Sequence, residues 1–227
     1  NNVLAHVPDI NDFVVGFSIL LKPNGVATFE FPHLLKLVNE NQFDTIYHEH
    51  FSYLSLTALE TIFKESGLRI FDVEECTTHG GSLRIFAQRS DTGLQPISHR
   101  VIELRKCEIV SGLNTSYFYT GFQIKADKVK NDLLSFLIQA NQEGKRVVGY
   151  GAAAKGNSLL NYAGVDPDLI SYVVDKNPAK QGKYMPGSRI PIKAEEYLKD
   201  DKPDYIIVLP WNLKKEVSRQ LNYIEQW

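Results

Sequence analysis

Apolar and polar positions follow two different rhythms along this chain, and the change falls near its middle. From Ile10 to Leu21, Phe13, Val14, Phe17, Leu20 and Leu21 recur at helical spacing, which predicts an amphipathic helix capped by Asp9. Lys22-Pro23-Asn24-Gly25 reads as a turn, and Val26 to Phe31 as a buried strand ending at Pro32. A short helix over Leu34–Asn39 and a second amphipathic helix over Thr57–Ser66, stopped by Gly67, come next. Leu68–Val73 and Ser82–Gln88 read as strands around a polar loop. Ile97–Leu113 and Ile124–Glu143 read as long helices. From Arg146 strands and helices alternate: strands at Val147–Tyr150, Ile170–Val174 and Tyr205–Leu209, helices at Ala153–Tyr162, Ala194–Leu198 and from Leu213 onward. Such alternation predicts a parallel sheet with helices on its faces. The polar stretch Ser90–Pro96 marks the expected boundary. The chain is therefore expected to be α/β in two units, residues 1–90 and 91–227, the second opening with a helical lead-in.

Composition narrows the partners. A net charge of -2 gives no electrostatic case for nucleic acid or an anionic membrane, so any anion site must be local. No apolar run reaches membrane-spanning length. Cys76 and Cys107 are far apart and outside any Cys-x-x-Cys pattern, which argues against a disulfide framework or a zinc knot and suits a reducing cytoplasm. The opening Asn1–Asp9 has no signal-like character and reads as a strand end entering a functional loop, so further sequence upstream is expected.

Several stretches carry candidate chemistry. Tyr47-His48-Glu49-His50 places two imidazoles, a carboxylate and a phenol within four residues. An imidazole titrates near neutrality and can take a proton from carbon acidified by a ketone, and a tyrosine hydroxyl can donate to a developing enolate oxygen. The same stretch could hold a metal through His48, Glu49 and His50, or be a loop of satisfied polar residues. Thr78-His79-Gly80-Gly81-Ser82 has paired glycines that allow close backbone approach to a ligand, or that make a plain turn. His6 follows a strand-like segment, where a lone histidine is more often structural. Gly149-Tyr150-Gly151-Ala152-Ala153-Ala154-Lys155-Gly156-Asn157 follows a strand and opens a helix, and satisfies the loose G-x-G-x-x-G/A pattern. Backbone N–H groups there would face a phosphate, Lys155 adds a positive charge, and Asp175 ends the next strand where an acid commonly meets a ribose hydroxyl. Leu209-Pro210-Trp211-Asn212 follows a later strand and borders the same crevice, with Trp211 either packing or stacking.

Taken in order, these stretches resemble one family. Leu20-Leu21-Lys22-Pro23-Asn24-Gly25 resembles the segment before the fifth strand of class I methyltransferases. Glu30-Phe31-Pro32, Phe43 to His50 and His79 to Arg84 resemble the S-adenosylmethionine-dependent nucleotide-sugar C-methyltransferases, of the tetronitrose C-3 methyltransferase type. Gly149 to Asn157 and Leu209 to Asn212 resemble that family's carboxy-terminal domain. The resemblance implies a partial class I methyltransferase sheet followed by a Rossmann-like parallel-sheet domain. It implies C-methylation of a nucleotide-linked 4-keto-6-deoxy sugar, with His50 as general base, Glu49 supporting it and Tyr47 beside the substrate. His6 falls on a second active-site histidine and, with Asn2, on the methyl-donor side. His79, Gly80, Ser82, Gly151, Lys155, Asn157 and Asp175 become expected substrate contacts. S-adenosylmethionine is the implied cofactor, although no glycine-rich donor loop precedes Asn1. The family's zinc belongs to an amino-terminal domain with no counterpart here, so no metal is expected. A half sheet also invites pairing, with a second copy or with an amino-terminal half. The alternatives that stay open are a nucleotide-sugar binding module without chemistry and an NAD-dependent oxidoreductase.

Overall fold

The computed structural model describes residues 2–226. The chain forms two compact units: the first holds the chain up to Phe43 together with His48–Phe122, the second Asp44–Tyr47 together with Gln123 onward.

The first unit is built on a three-stranded sheet of β1 (Val26–Pro32), β2 (Leu68–Cys76) and β3 (Ser82–Arg89). Its order is β1-β3-β2, with β3 antiparallel to both neighbours. Helix α1 (Ile10–Leu20) starts as expected at Asp9, whose side chain accepts from the Asp12 N–H. Helix α2 (Leu34–Asn39) follows β1 directly. Helix α3 (Leu56–Glu65) is capped by the Ser55 hydroxyl and stops before Gly67, which takes φ 75°. The core gathers Leu4, Val14, Phe29, Phe31, Leu59, Phe63, Leu83 and Ile85. Phe17, Phe29 and Phe63 form an edge-to-face series with centroids 4.7 and 5.1 Å apart. Each such side chain removed from water contributes about 1.5–3 kcal/mol, so this one face carries much of the unit's cohesion.

The expected boundary near residue 91 moves. Helix α4 (His99–Val110) lays Val101 and Leu104 into the first core, and Ser98 caps it while its hydroxyl donates to Asp72 of β2. Arg100 pairs with the same Asp72. Residues 91–122 thus belong to the first unit because their apolar stripe enters its core and their polar side chains pair with β2 and α3. The Gly and Pro of the Ser90–Pro96 stretch mark a loop within one unit, not a division between two.

The second unit is a parallel sheet of β4 (Val147–Tyr150), β5 (Val173–Val174), β6 (Ile192–Lys193) and β7 (Tyr205–Val208), in the order β6-β5-β4-β7. Helices α5 (Phe122–Gln142), α6 (Ala154–Ala163), α7 (Tyr197–Asp201) and α8 (Lys214–Gln220) accompany it. Successive strand residues point to opposite faces, so Val147 and Val173 enter one core with Leu137 and Leu160, and Val148 and Val174 another with Leu198 and Val217. Two elements differ from expectation. The strand over Ile170–Val174 shrinks to two residues, and the helix over Ala194–Leu198 starts at Tyr197, after the loop that pairs β6. Strand β6 has two residues and leaves no alternation to read. No helix among the described residues is long and apolar enough to cross a membrane.

Candidate functional site

In the first unit the chemistry-bearing residues collect where β1 and β2 end and β3 begins, the end at which Pro32 and Cys76 both face Ser82. A 3-10 turn, Leu4–His6, lies there with Leu4 and Ala5 buried. The Ala5 carbonyl accepts from the Phe51 N–H at 2.8 Å and the Ser52 N–H at 3.2 Å. These bonds lay the His50 segment against the turn. The His6 and His50 rings meet edge-to-face, centroids 4.8 Å apart, and Tyr53 stands 6.1 Å from His50 on another edge. Two histidines 44 positions apart in the sequence thus share one site. Both are half-buried, whereas His48 and Glu49 are exposed in the turn before His50. Tyr47 is half-buried and belongs to the segment grouped with the second unit. Among the described residues no group of three or more His, Cys, Asp and Glu is placed to hold a metal.

The glycine loop borders the same end. His79, Gly80 and Gly81 take φ of 55°, 90° and 117°, three consecutive positive values that only glycine accepts readily. A side chain at Gly81 would meet Lys36 Cγ at 3.1 Å. His79 is exposed, and its Nε2 lies 3.4 Å from Asn2 Nδ2. Asn2 is tied in turn by its N–H to the Glu30 carbonyl. Its Oδ1 is buried without a protein partner among the described residues. The Glu30 carboxylate accepts from the Thr78 hydroxyl at 2.6 Å and from Arg84 at 2.8 Å. The Thr78 bond foremost, then Arg84, holds that carboxyl below its ordinary value against burial. Ser82 is differently placed: its hydroxyl is buried and donates to the Thr78 carbonyl, closing the loop on itself.

In the second unit the strand order reverses at β4, since β5 and β6 lie on one side of it and β7 on the other. Ligands of open parallel sheets bind outside the carboxyl ends of strands at such a point. The glycines there answer to packing. A side chain at Gly149 would come within 2.9 Å of Val173, at Gly156 within 2.7 Å of Leu209, and at Gly151, φ 92°, within 2.7 Å of Pro210. Asp175 turns inward: its carboxylate accepts from the Ala152 N–H at 2.8 Å, the Asn177 N–H at 2.8 Å and Lys180 Nζ at 3.2 Å. The acid expected to meet a ribose hydroxyl is therefore used to fix the glycine turn, which counts against the NAD-dependent reading. Asn157, in the first turn of α6, keeps a buried Oδ1 without a protein partner among the described residues.

The more telling cluster stands beside the β7 end. Lys155 Nζ lies 4.4 Å above the Trp211 ring and donates to Asn212 Oδ1 at 3.2 Å. The Trp211 Nε1–H donates to Asp44 Oδ2 at 2.6 Å. Asp44 is buried, and burial chiefly pushes its carboxyl up, opposed by the Trp211 bond and the Lys155 charge. Burial likewise pulls the Lys155 ammonium down, with Asp44 acting the other way. Sequence reasoning reached Lys155 and noticed Trp211, but missed Asp44, Tyr53 and Lys180. Asp44 had a signal in the block it shares with Tyr47 to His50; Tyr53 and Lys180 had none.

Residues 77–227 match the model of a C-methyltransferase C-terminal domain, and residues 1–73 that of a methyltransferase domain. The chain is 40% identical over 215 residues to the C-methyltransferase NovU of Streptomyces niveus. That alignment takes in 94% of this chain and 50% of NovU, so the chain spans about half the length of this curated relative.

Proposed function

The chain belongs to the C-methyltransferase family, and from that premise we propose that it forms the substrate-activating part of an enzyme that methylates carbon in a nucleotide-linked 4-keto-6-deoxy sugar. The observation that carries the reading is the meeting of His6 and His50 at 4.8 Å, with Ala5 holding the His50 segment in place.

The ketone acidifies the adjacent C–H. The His50 imidazole takes that proton, and the C–H electron pair moves into the enolate, with charge gathering on the ketone oxygen. His6 donates to that oxygen and steadies it. S-adenosylmethionine, when bound, supplies an electrophilic methyl group to the carbon so exposed. Asn2 and His6 are the residues of this chain on the donor side, and the buried, unpartnered Asn2 Oδ1 suits an N–H or O–H donor of that molecule. In the second unit Lys155, Trp211 and Asn212 offer a cation, a ring face and an amide to the nucleotide part, at the point where the strand order reverses. Two free thiols, Cys76 and Cys107, support placement in a reducing cytoplasm.

The base can be tested apart from methyl transfer. The chain is incubated in D2O with a thymidine-diphosphate 4-keto-6-deoxy sugar, and exchange at the carbon beside the ketone is followed by proton NMR. Exchange is expected with the wild type and is expected to be lost in His50→Ala, which still binds the sugar by calorimetry. Full exchange in His50→Ala would remove His50 as the base. Sugar binding without exchange by the wild type would favour the second reading, a binding module without chemistry.

A further inference from the structure

Glu108 lies on α4, 1% exposed, and takes no part in the chemistry proposed above. Its carboxylate accepts four hydrogen bonds. Oε1 takes the Leu56 N–H and His33 Nε2, each at 2.8 Å. Oε2 takes the Thr57 N–H at 2.8 Å and the Thr57 hydroxyl at 2.5 Å. Three of the four donors belong to the first turn of α3, where free N–H groups and the helix dipole favour an anion. The fourth belongs to the residue that follows β1. His33 is itself knotted into the site end: its N–H donates to the Gly81 carbonyl at 3.1 Å, and it bridges in parallel to Leu54, whose carbonyl accepts the Leu34 N–H at 2.9 Å.

One buried carboxylate therefore joins the end of β1 to the start of α3. The segment that leads into α3, Phe51–Thr57, is pinned twice, by Ala5 at Phe51 and Ser52 and by Glu108 at Leu56 and Thr57. His50 stands one residue before the first pin. Apolar residues of similar volume can fill a core as well as a buried ion does, so a charge kept here points to a demand on position. We propose that Glu108, with His33, is a positioning residue that fixes the Phe51–Thr57 segment and so holds the His50 imidazole against His6. The proposal rests on reading His50 as the base, but its geometric half does not need turnover.

The test compares wild type with Glu108→Gln and with Leu104→Ala, a neighbour on α4 that packs in the same core but makes none of the four carboxylate bonds. A glutamine turns an NH2 group toward one of the α3 N–H donors and cannot accept all four bonds. The first measurement is the nuclear Overhauser effect between the His6 and His50 rings, together with amide exchange at Phe51 and Ser52. Glu108→Gln is expected to lose the ring-to-ring signal and to speed that exchange at least about tenfold; Leu104→Ala is expected to keep both as in wild type. The second measurement is C–H exchange of the keto sugar. A displacement of the base by about 1 Å is expected to cost about a hundredfold in rate with little change in sugar affinity. A folded Glu108→Gln with the ring contact, amide exchange and rate all unchanged overturns the proposal. If the ring contact is lost but wild type shows no C–H exchange, positioning stands and the reading of His50 as base fails. Should Glu108→Gln not fold, Thr57→Val removes one of the four bonds at equal volume. Faster Phe51 and Ser52 exchange there supports the anchor, and unchanged exchange overturns it.

Discussion

Asp44 concentrates the residue-scale question of what a buried charge does. Its carboxyl sits above its ordinary value of 3.8, chiefly through burial, while the Trp211 indole and the Lys155 ammonium pull it back down. A carboxyl raised on folding disfavours the charged form more in the native than in the unfolded chain. Its contribution to stability is thus fully present below the unfolded value and is lost as pH rises through the folded one. Asp44→Asn keeps an acceptor for the Trp211 Nε1–H and removes the charge. It is expected to hold or raise the thermal stability of the second unit at pH 7, and to flatten the pH dependence of its melting above pH 4. Trp211→Phe does the opposite: the ring face stays, the donor goes, and a buried carboxylate is left short of a bond. That variant is expected to lose about 1–3 kcal/mol in denaturant unfolding at pH 7. Equal melting of both variants with wild type would show that the Asp44–Trp211 bond does not matter to the fold.

At the scale of elements, two glycines of similar appearance in the sequence should respond with opposite signs. Gly16 lies inside α1 with nothing within 4 Å of where a side chain would stand, so Gly16→Ala is expected to stabilise by about 0.5–1 kcal/mol through the unfolded chain. Gly151 leaves β4 at φ 92° with Pro210 at 2.7 Å, so Gly151→Ala meets backbone strain and a collision together and is expected to cost about 1–3 kcal/mol. Urea melts of the two variants decide it. The contrast also marks what could be read from the sequence. Helices α1 and α3, strands β1 and β3 and the β4–α6 turn were legible because each carries its own period, cap or glycine stop within a dozen residues. The meeting of His6 with His50 was legible only through a family pattern, since 44 residues separate them. The clasps that brace the site, Glu108 to His33 across 75 positions and Trp211 to Asp44 across 167, leave no local trace. A glutamate in an amphipathic helix looks like any surface charge until α4 turns it onto the start of α3. The unit boundary was misplaced for the same reason: the pairing of Asp72 with Arg100 and Ser98 is a contact at long range, and the glycine and proline between them were the only local signal.

Across the whole molecule, the apolar clusters respect the two units. The first core runs from Leu4 to Leu104, whereas the other two take their members from Leu133 onward. Each unit thus has its own source of hydrophobic stabilisation. Leu59 is wholly buried in the first core, on the face of α3 that meets the sheet. Leu59→Ala removes its side chain and leaves a cavity in the first core, at an expected loss of about 2–5 kcal/mol. The loss should be confined. Amide hydrogen exchange is expected to accelerate in β1, β3 and α3, while the amides of β4, β5 and β7 keep their wild-type protection. The site residues divide along the same line, since His6, His50 and His79 stand on the first core and Lys155 and Trp211 on the second. A variant with a loosened first unit should accordingly lose exchange at the sugar C–H before it loses affinity for the nucleotide. Equal acceleration of exchange in β4 and in β1 would instead mean that the two cores melt as one, and that neither half of the chemistry can be weakened alone.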